Sequence, residues 1–386
     1  MTSLNTHHQL AFWDNNTLDL TKENEAFLTQ LLITYIGNKR SLLNFIGSGL
    51  DIVRQRLNKN KLTTFDVFSG SGVVSRFLKR YSERLIVNDI EDYAYTINKC
   101  YLSNSNTVDH QALHYWISYL YERLESEPLI KGFITELYSP KDISNIQHNE
   151  RCFYTPHNAM YIDTARSLIE TLPETMRHFF IAPLLAEASI HANTSGVFKG
   201  FYKNSSTGIG QFGGNNKDAL TRILGNIEIQ CPIFSNFNTD IEIYQGDANC
   251  IVDKIDEVDV AYLDPPYNQH PYGSNYFMLN LITRNIRPIA VSDVSGIPSN
   301  WSRSAYNKRQ QSYEAMNDLV NRIKAKYLLI SFNSEGFISL DDMLVLLNRI
   351  GKVEVLETKY NTFRGSRNLG SRDIHVTEYL YLVEKY

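Results

Sequence analysis

Four short apolar runs, TTFDVF at 63–68, RLIVND at 84–89, VDVAYLD at 258–264 and YLLISFN at 327–333, restrict the fold more than any other feature. Each is rich in β-branched or aromatic residues and lacks the alternation of a strand with one wet face. Each therefore reads as a strand covered on both sides. Between them lie the helical patterns SLLNFIGSGLDIVRQRL, VVSRFLKRYS and YEAMNDLVNRIKAK. Strands alternating with helices predict an α/β fold with a doubly wound, mostly parallel sheet. Near the C-terminus KVEVLETKYNTF and VTEYLYLVEKY are separated only by a glycine-rich basic loop, which predicts an antiparallel hairpin closing that sheet. From about Tyr101 to Phe237 the pattern changes to helical stretches such as LHYWISYLYERLES and NAMYIDTARSLIETL, with no buried strand evident. Residues 101–237 thus read as a mainly helical insertion into an α/β domain built from 27–100 and 238–386.

With 386 residues and 43% hydrophobic content the chain can bury a large core. The opening MTSLNTHHQL lacks the order of a signal peptide, and the longest apolar stretch, FFIAPLLAEASI, is broken by Pro183 and Glu187 and too short to span a bilayer. A cytoplasmic protein with no membrane partner is expected. Cys100, Cys152, Cys231 and Cys250 are scattered without a CxxC pair, which argues against a zinc site or a disulfide framework, and no metal is expected. The net charge of −4 does not resemble a nucleic-acid binder. Local charge differs: from Arg284 to Lys326 eight basic residues stand against three acidic ones. VFKGFYKNSSTGIGQFGGNNK and KYNTFRGSRNLGSR are basic, glycine-rich and aromatic together. Such loops suit a sugar-phosphate backbone, but charge alone favours reading them as solvated surface.

The chemistry gathers at strand ends. FDVFSGSGVV closes a strand with Asp66 and Phe68, then turns through Gly70-Ser71-Gly72 into a helix, where glycines allow a tight turn and a close ligand approach. The next strand closes in VNDIE, placing Asp89 where a carboxylate accepts ribose hydroxyls. Together these indicate a nucleoside cofactor, the bland alternative being a tight turn with Asp89 capping a helix. The third glycine of the dinucleotide fingerprint is replaced by Ser75 or its neighbours and no GK[ST] follows, so neither NAD nor ATP fits well. In DVAYLDPPY, Asp264 and the Pro265 carbonyl offer two acceptors in a fixed geometry, and neither Pro265 nor Pro266 brings a competing N–H. Two acceptors suit one planar amine, and Tyr267 offers a face on which a flat heterocycle can stack. A plain Asp-Pro-Pro turn is the competing reading.

TYIGNKR, FDVFSGSG, VNDIE and DPPY, in that order, resemble the D12 class of N6-adenine DNA methyltransferases over roughly Thr34 to the C-terminus. The resemblance implies S-adenosyl-L-methionine as methyl donor, double-stranded DNA as partner, and a bacterial or phage modification setting, in which a cognate restriction endonuclease acts separately. It implies cofactor contacts at Tyr35, Lys39, Asp89, Asp247 and Asp264, the last also as the catalytic acid. It makes the insertion a target-recognition domain, with Lys199, Tyr202, Lys203 and Asn204 as DNA contacts, and Arg364 and Arg367 as phosphate ligands beside the target base. Asn193 and Ser195 stay open between turn and contact roles. NQHPYGSNYFMLN either lines the base pocket or begins an ordinary helix, and 288–312 is either an ordered loop over DNA or a mobile one. Competing functions are methylation of RNA adenine or of cytosine N4, a decayed sequence-specific DNA-binding protein, and a nicotinamide oxidoreductase.

Overall fold

The computed structural model describes residues 22–214, 217, 219–361 and 375–386. The four apolar runs become β1 (Leu62–Asp66), β2 (Ser82–Asp89), β4 (Val258–Leu263) and β5 (Ala325–Asn333), joined by β3 (Asp240–Gln245), β6 (Gly351–Asn361) and β7 (His375–Lys385). They form one sheet in the order β3-β2-β1-β4-β5-β7-β6 among the described residues. The first five strands run parallel. The expected C-terminal hairpin, β6 with β7, closes the sheet by pairing β7 antiparallel to β5, with Ile330 opposite Tyr381 and Asn333 opposite Glu378. β3 was not expected. Its sequence DIEIYQ mixes acids with isoleucine because it pairs only with β2 at the sheet edge, and no residue of it is fully buried.

Helices enter in chain order as α1 (Glu25–Thr29), α2 (Leu43–Leu57), α3 (Val73–Leu78), α4 (Asp92–Tyr101), α5 (His110–Ser126), α6 (Phe133–Tyr138), α7 (Pro156–Glu170) and α8 (Glu174–Ile190). They continue as α9 (Leu220–Leu224), α10 (Ala248–Ile251), α11 (Tyr272–Asn275), α12 (Phe277–Arg284), α13 (Arg309–Arg322) and α14 (Leu340–Leu347). The pattern VVSRFLKRYS stops being α-helical at Leu78 and reaches β2 already at Ser82. The stop has a local cause: Lys79 is buried and donates to the carbonyls of Leu102 and Ser103, while Ser82 Oγ donates to the Leu78 carbonyl.

Strand alternation divides the core. Leu329, Leu380 and Leu382 face α2 and α3, whereas Leu328, Ile330, Tyr381 and Val383 face α10, α13 and α14. α2 lies close on the sheet because Gly49 has no side chain there; a Cβ would sit 2.9 Å from Leu380 Cδ2. A third cluster joins α5, α7 and α8 to α4 and α12, so the helices of 101–237 share their apolar core with the helices that flank the sheet. Buried Arg166 of α7 reinforces that joint by donating to the Ile282 carbonyl of α12 at 2.6 Å. Among the described residues no helix is long and apolar enough to cross a membrane.

Candidate active site

β1 leads outward through β2 to β3 on one side, and β4 leads to β5 on the other, so the strand order reverses between β1 and β4. Chains leaving the carboxyl ends of these two strands diverge and open a crevice, the usual ligand position in such sheets. Here it is a cleft with about 890 Å³ of empty space, its solvent-facing mouth included. One wall is laced together by the chain turning out of β1. Ser69 N–H donates to the Asn88 carbonyl at 2.9 Å, and Gly70 N–H donates to Asp89 Oδ2 at 2.7 Å. Gly70 and Gly72 have φ of +51° and +78°, values that glycine adopts without the strain of a side chain. A Cβ on Gly70 would also lie 3.0 Å from the Tyr35 hydroxyl. Asn88 ties the same wall to β3 by donating to the Val67 and Gly246 carbonyls.

Asp264, Pro266, Tyr35, Lys39 and Tyr272 make the opposite wall. Tyr35 stacks against both Tyr272 and Tyr276, with centroids 5.0 and 4.8 Å away. Lys39 is 3% exposed, and its Nζ lies 3.2 Å from Asp264 Oδ1 and 2.6 Å from Glu378 Oε1. Burial works against the Lys39 charge, but Asp264 and Glu378 outweigh it and keep the ammonium protonated well above the ordinary lysine range. The Asp264 carboxyl is raised to about 6, chiefly by burial; Glu378 pushes the same way and Lys39 opposes both.

The electrostatics of the cleft are one-sided. Asp89, Glu91, Asp247 and Asp264 line it, and Lys39 is their one cationic neighbour among the described lining residues. Burial raises Asp89 to about 6, against N–H bonds from Glu91, Gly70 and Ile90 that hold it down. Burial likewise lifts Glu91 to about 7 against hydrogen bonds from Ser302 and Asn280. A cleft of this sign attracts a cationic ligand bearing hydroxyls and repels phosphates, which disfavours nicotinamide dinucleotides and nucleoside triphosphates.

Of the expected cofactor residues, Tyr35, Lys39, Phe68, Gly70, Asp89, Asp247 and Asp264 line the cleft. Asp66 does not. It is fully buried behind the wall, where Ser75 Oγ donates to its Oδ2 at 2.5 Å, and burial raises it to about 7. Gly72 shapes the turn, and Pro265 and Tyr267 stand outside the lining. The Tyr267 ring lies edge-on to Phe332 at 5.8 Å and beneath Lys39 at 5.6 Å. Asp247 also caps α10, accepting the Asn249 N–H. Within NQHPYGSNYFMLN, Tyr272 and Gly273 line the cleft while α12 is buried as an ordinary packed helix.

No sequence motif assigns a role to several lining residues. Glu91, Ser302, Ser304, Tyr306 and Asn307 complete the cleft, and Phe68 meets Tyr306 edge-to-face at 5.1 Å. Four of them come from 288–312, which is tied down along its length. Arg151 donates to the Ser292 and Asp293 carbonyls, Tyr138 to the Gly296 carbonyl, and Asn307 to the Asn268 carbonyl. Ser302 Oγ bonds the Glu91 carboxylate. The loop 193–204 abuts the same region: Phe198 N–H donates to the Asn275 carbonyl at 2.7 Å, and Ser295 Oγ to the Lys199 carbonyl. It makes an isolated bridge, Lys203 with Gly210, rather than a regular hairpin. Asn193 is a structural turn residue, fully buried, bonding the Cys152 and Gln211 carbonyls and the Gly213 N–H, whereas Ser195 is exposed. Lys199 and Lys203 are exposed, Tyr202 is half-buried, and Asn204 Oδ1 accepts from Ser206 and Thr207. Arg364 and Arg367 lie outside the described residues.

The chain is 28% identical over 361 residues to the type II methyltransferase M.NlaIII of Neisseria lactamica, covering 92% of this chain and 99% of that one. It is 29% identical over 360 residues to the type II methyltransferase M.CviAII of Paramecium bursaria Chlorella virus 1, covering 91% and 98%. It is 24% identical over 369 residues to the type II methyltransferase M.FokI of Planomicrobium okeanokoites, covering 91% of this chain and 52% of that protein. A family model described as D12 class N6 adenine-specific DNA methyltransferase matches residues 35–345, from the tyrosine on one wall of the cleft to well beyond the DPPY strand end, and the chain belongs to that family of adenine-specific DNA methyltransferases.

Proposed function

We propose that the protein transfers a methyl group from S-adenosylmethionine to N6 of an adenine swung out of duplex DNA at a specific site. The observation that carries the cofactor reading is the four carboxyls around one occupied ammonium in the cleft beside Asp264. That set of residues fits a nucleoside with a cationic tail. Asp89 would hold its ribose and Phe68 with Tyr306 would border its base, while Gly70 leaves the room that a Cβ would fill. When bound, S-adenosylmethionine supplies a methyl group on a positively charged sulfur, which keeps the electron pair of the broken S–C bond.

The rest of the reaction falls to the chain's own residues. Extracting the base from its stack costs roughly a few kcal/mol, and Tyr267 offers a ring for it to stack on. Lys39 occupies Asp264 Oδ1, leaving the other carboxylate oxygen and the Pro265 carbonyl to accept the two N–H bonds of the amine. Those bonds turn the nitrogen lone pair out of ring conjugation, so that it forms the new N–C bond. The surplus proton of the methylated amine passes to Asp264, which is ionised above about pH 6, and from there to water. Rate comes from positioning and electrostatics, without a covalent enzyme intermediate.

We assign 101–237 to target recognition, with Lys199, Tyr202, Lys203 and Asn204 facing DNA. The support is that their loop touches α11, just past the DPPY corner. We also infer a cytoplasmic restriction-modification setting with a separate endonuclease; its support is that the three relatives named above are type II methyltransferases. The test is expression in a methylation-deficient bacterium, followed by sequencing that detects N6-methyladenine, with Asp264→Ala as control. Methylation of one short motif, absent in the control, is expected. Unmodified DNA from cells holding soluble protein would refute the reading.

A further inference from the structure

We propose that Glu378 is a positioning residue for methyl transfer, acting through Lys39 to hold the Asp264 carboxylate in place and to keep it a strong acceptor. The proposal rests on the reading of Asp264 given above. Glu378 comes from β7, in the antiparallel hairpin, and meets Lys39 from 339 positions away. Strand alternation puts Glu378 and Ser331 on the α2 side of the sheet with Leu380 and Leu329, directly beneath Lys39. Ser331 Oγ donates to Glu378 Oε1 at 2.5 Å, and Glu378 is wholly buried. A chain of contacts therefore runs Ser331–Glu378–Lys39–Asp264 across β5, β7, the segment before α2 and the end of β4.

A staple between hairpin and sheet would need only one carboxylate on Lys39. Two carboxylates share it, and the sharing has a chemical consequence. With Glu378 taking the shorter contact, Lys39 orients Asp264 without fully neutralising it. Remove the Glu378 charge and Lys39 belongs to Asp264 alone. Its carboxylate is then a weaker acceptor and loses its proton at lower pH. Among the described residues Asp66, Tyr262 and Tyr272 also couple to Asp264, and Glu378→Gln leaves all three in place.

The test measures incorporation of labelled methyl groups from S-adenosylmethionine into genomic DNA of a methylation-deficient bacterium, from pH 5 to 9, by wild type, Glu378→Gln and Ser331→Ala. For Glu378→Gln we expect kcat to fall about tenfold or more, the acidic limb of the profile to move down by about one pH unit, and the KM for S-adenosylmethionine to stay within about threefold. For Ser331→Ala the limb should move up, because a Glu378 freed of its hydrogen bond draws Lys39 away from Asp264. Activity lost with an unmoved limb makes Glu378 merely structural and overturns the proposal. So does wild-type behaviour in Glu378→Gln. If Glu378→Gln does not fold, the Ser331→Ala limb decides, and an unmoved limb overturns it. No incorporation by wild type at any pH would overturn the reading of the site and this proposal with it.

Discussion

Replacing Lys39 by Met removes the one cation from the cleft wall while keeping a side chain of similar length. In the wild type the ammonium lies 2.6 Å from Glu378 and 3.2 Å from Asp264. At an effective dielectric near 20 those contacts correspond to roughly 6 and 5 kcal/mol of attraction. Dehydrating the ammonium cancels much of this, and breaking buried ion pairs by losing one partner generally costs about 3–5 kcal/mol. That is the expected loss in unfolding free energy by urea titration at pH 7.5. Asp264 is already raised by burial and Lys39 is what opposes that rise, so without Lys39 its carboxyl moves further above the unfolded value and the native state binds more protons than the unfolded chain. The deficit should therefore shrink as pH falls toward 4. Adding Glu378→Gln to the variant should restore part of the loss at pH 7.5. A Lys39→Met protein within about 1 kcal/mol of wild type at pH 7.5, or one whose deficit grows on acidification, would refute the account of the Lys39 centre.

Two further outcomes are expected. Asp66, raised to about 7 by burial, favours the folded state below the unfolded carboxyl value, and this contribution is lost as pH rises through 7. Asp66→Asn should thus gain at least about 2 kcal/mol on wild type between pH 5 and pH 8, read by denaturant unfolding without ligand, and a pH-independent difference would contradict the burial argument. Gly70→Ala forces a side chain into φ +51° and against Tyr35. It should destabilise the protein by about 1–2 kcal/mol and weaken S-adenosylmethionine binding at least about tenfold by calorimetry; undiminished affinity would mean that the glycine turn does not bound the cofactor.

What could be read directly was local. The turn FDVFSGSG and the corner DPPY each hold their candidate residues within a few positions of a strand end, and Phe68, Gly70, Asp264 and Pro266 from them line the cleft. β3 escaped notice because an edge strand needs no continuous apolar run. Asp66 looked like a cofactor ligand because it ends a strand beside the glycine turn, yet the pleat and Ser75 place it inside the wall. Nothing in WSRSAYNK marks Ser302 or Tyr306 as cleft residues. Their position comes from the hydrogen bonds of Ser302 to Glu91 and of Tyr306 to Asn249, with neighbouring Asn307 bonded to Asn268, all distant in sequence.

By itself the sequence determined the kind of elements, their alternation, and the strand ends at which chemistry collects, because the periodicity of apolar residues and the demands of tight turns act over a few positions. Only the tertiary structure decided which ends stand side by side. The reversal between β1 and β4 makes the cleft, the return of 300–307 completes it, and the docking of β7 on β5 delivers Glu378 to Lys39. Such meetings depend on packing between segments hundreds of residues apart, and no local pattern in either segment carries them.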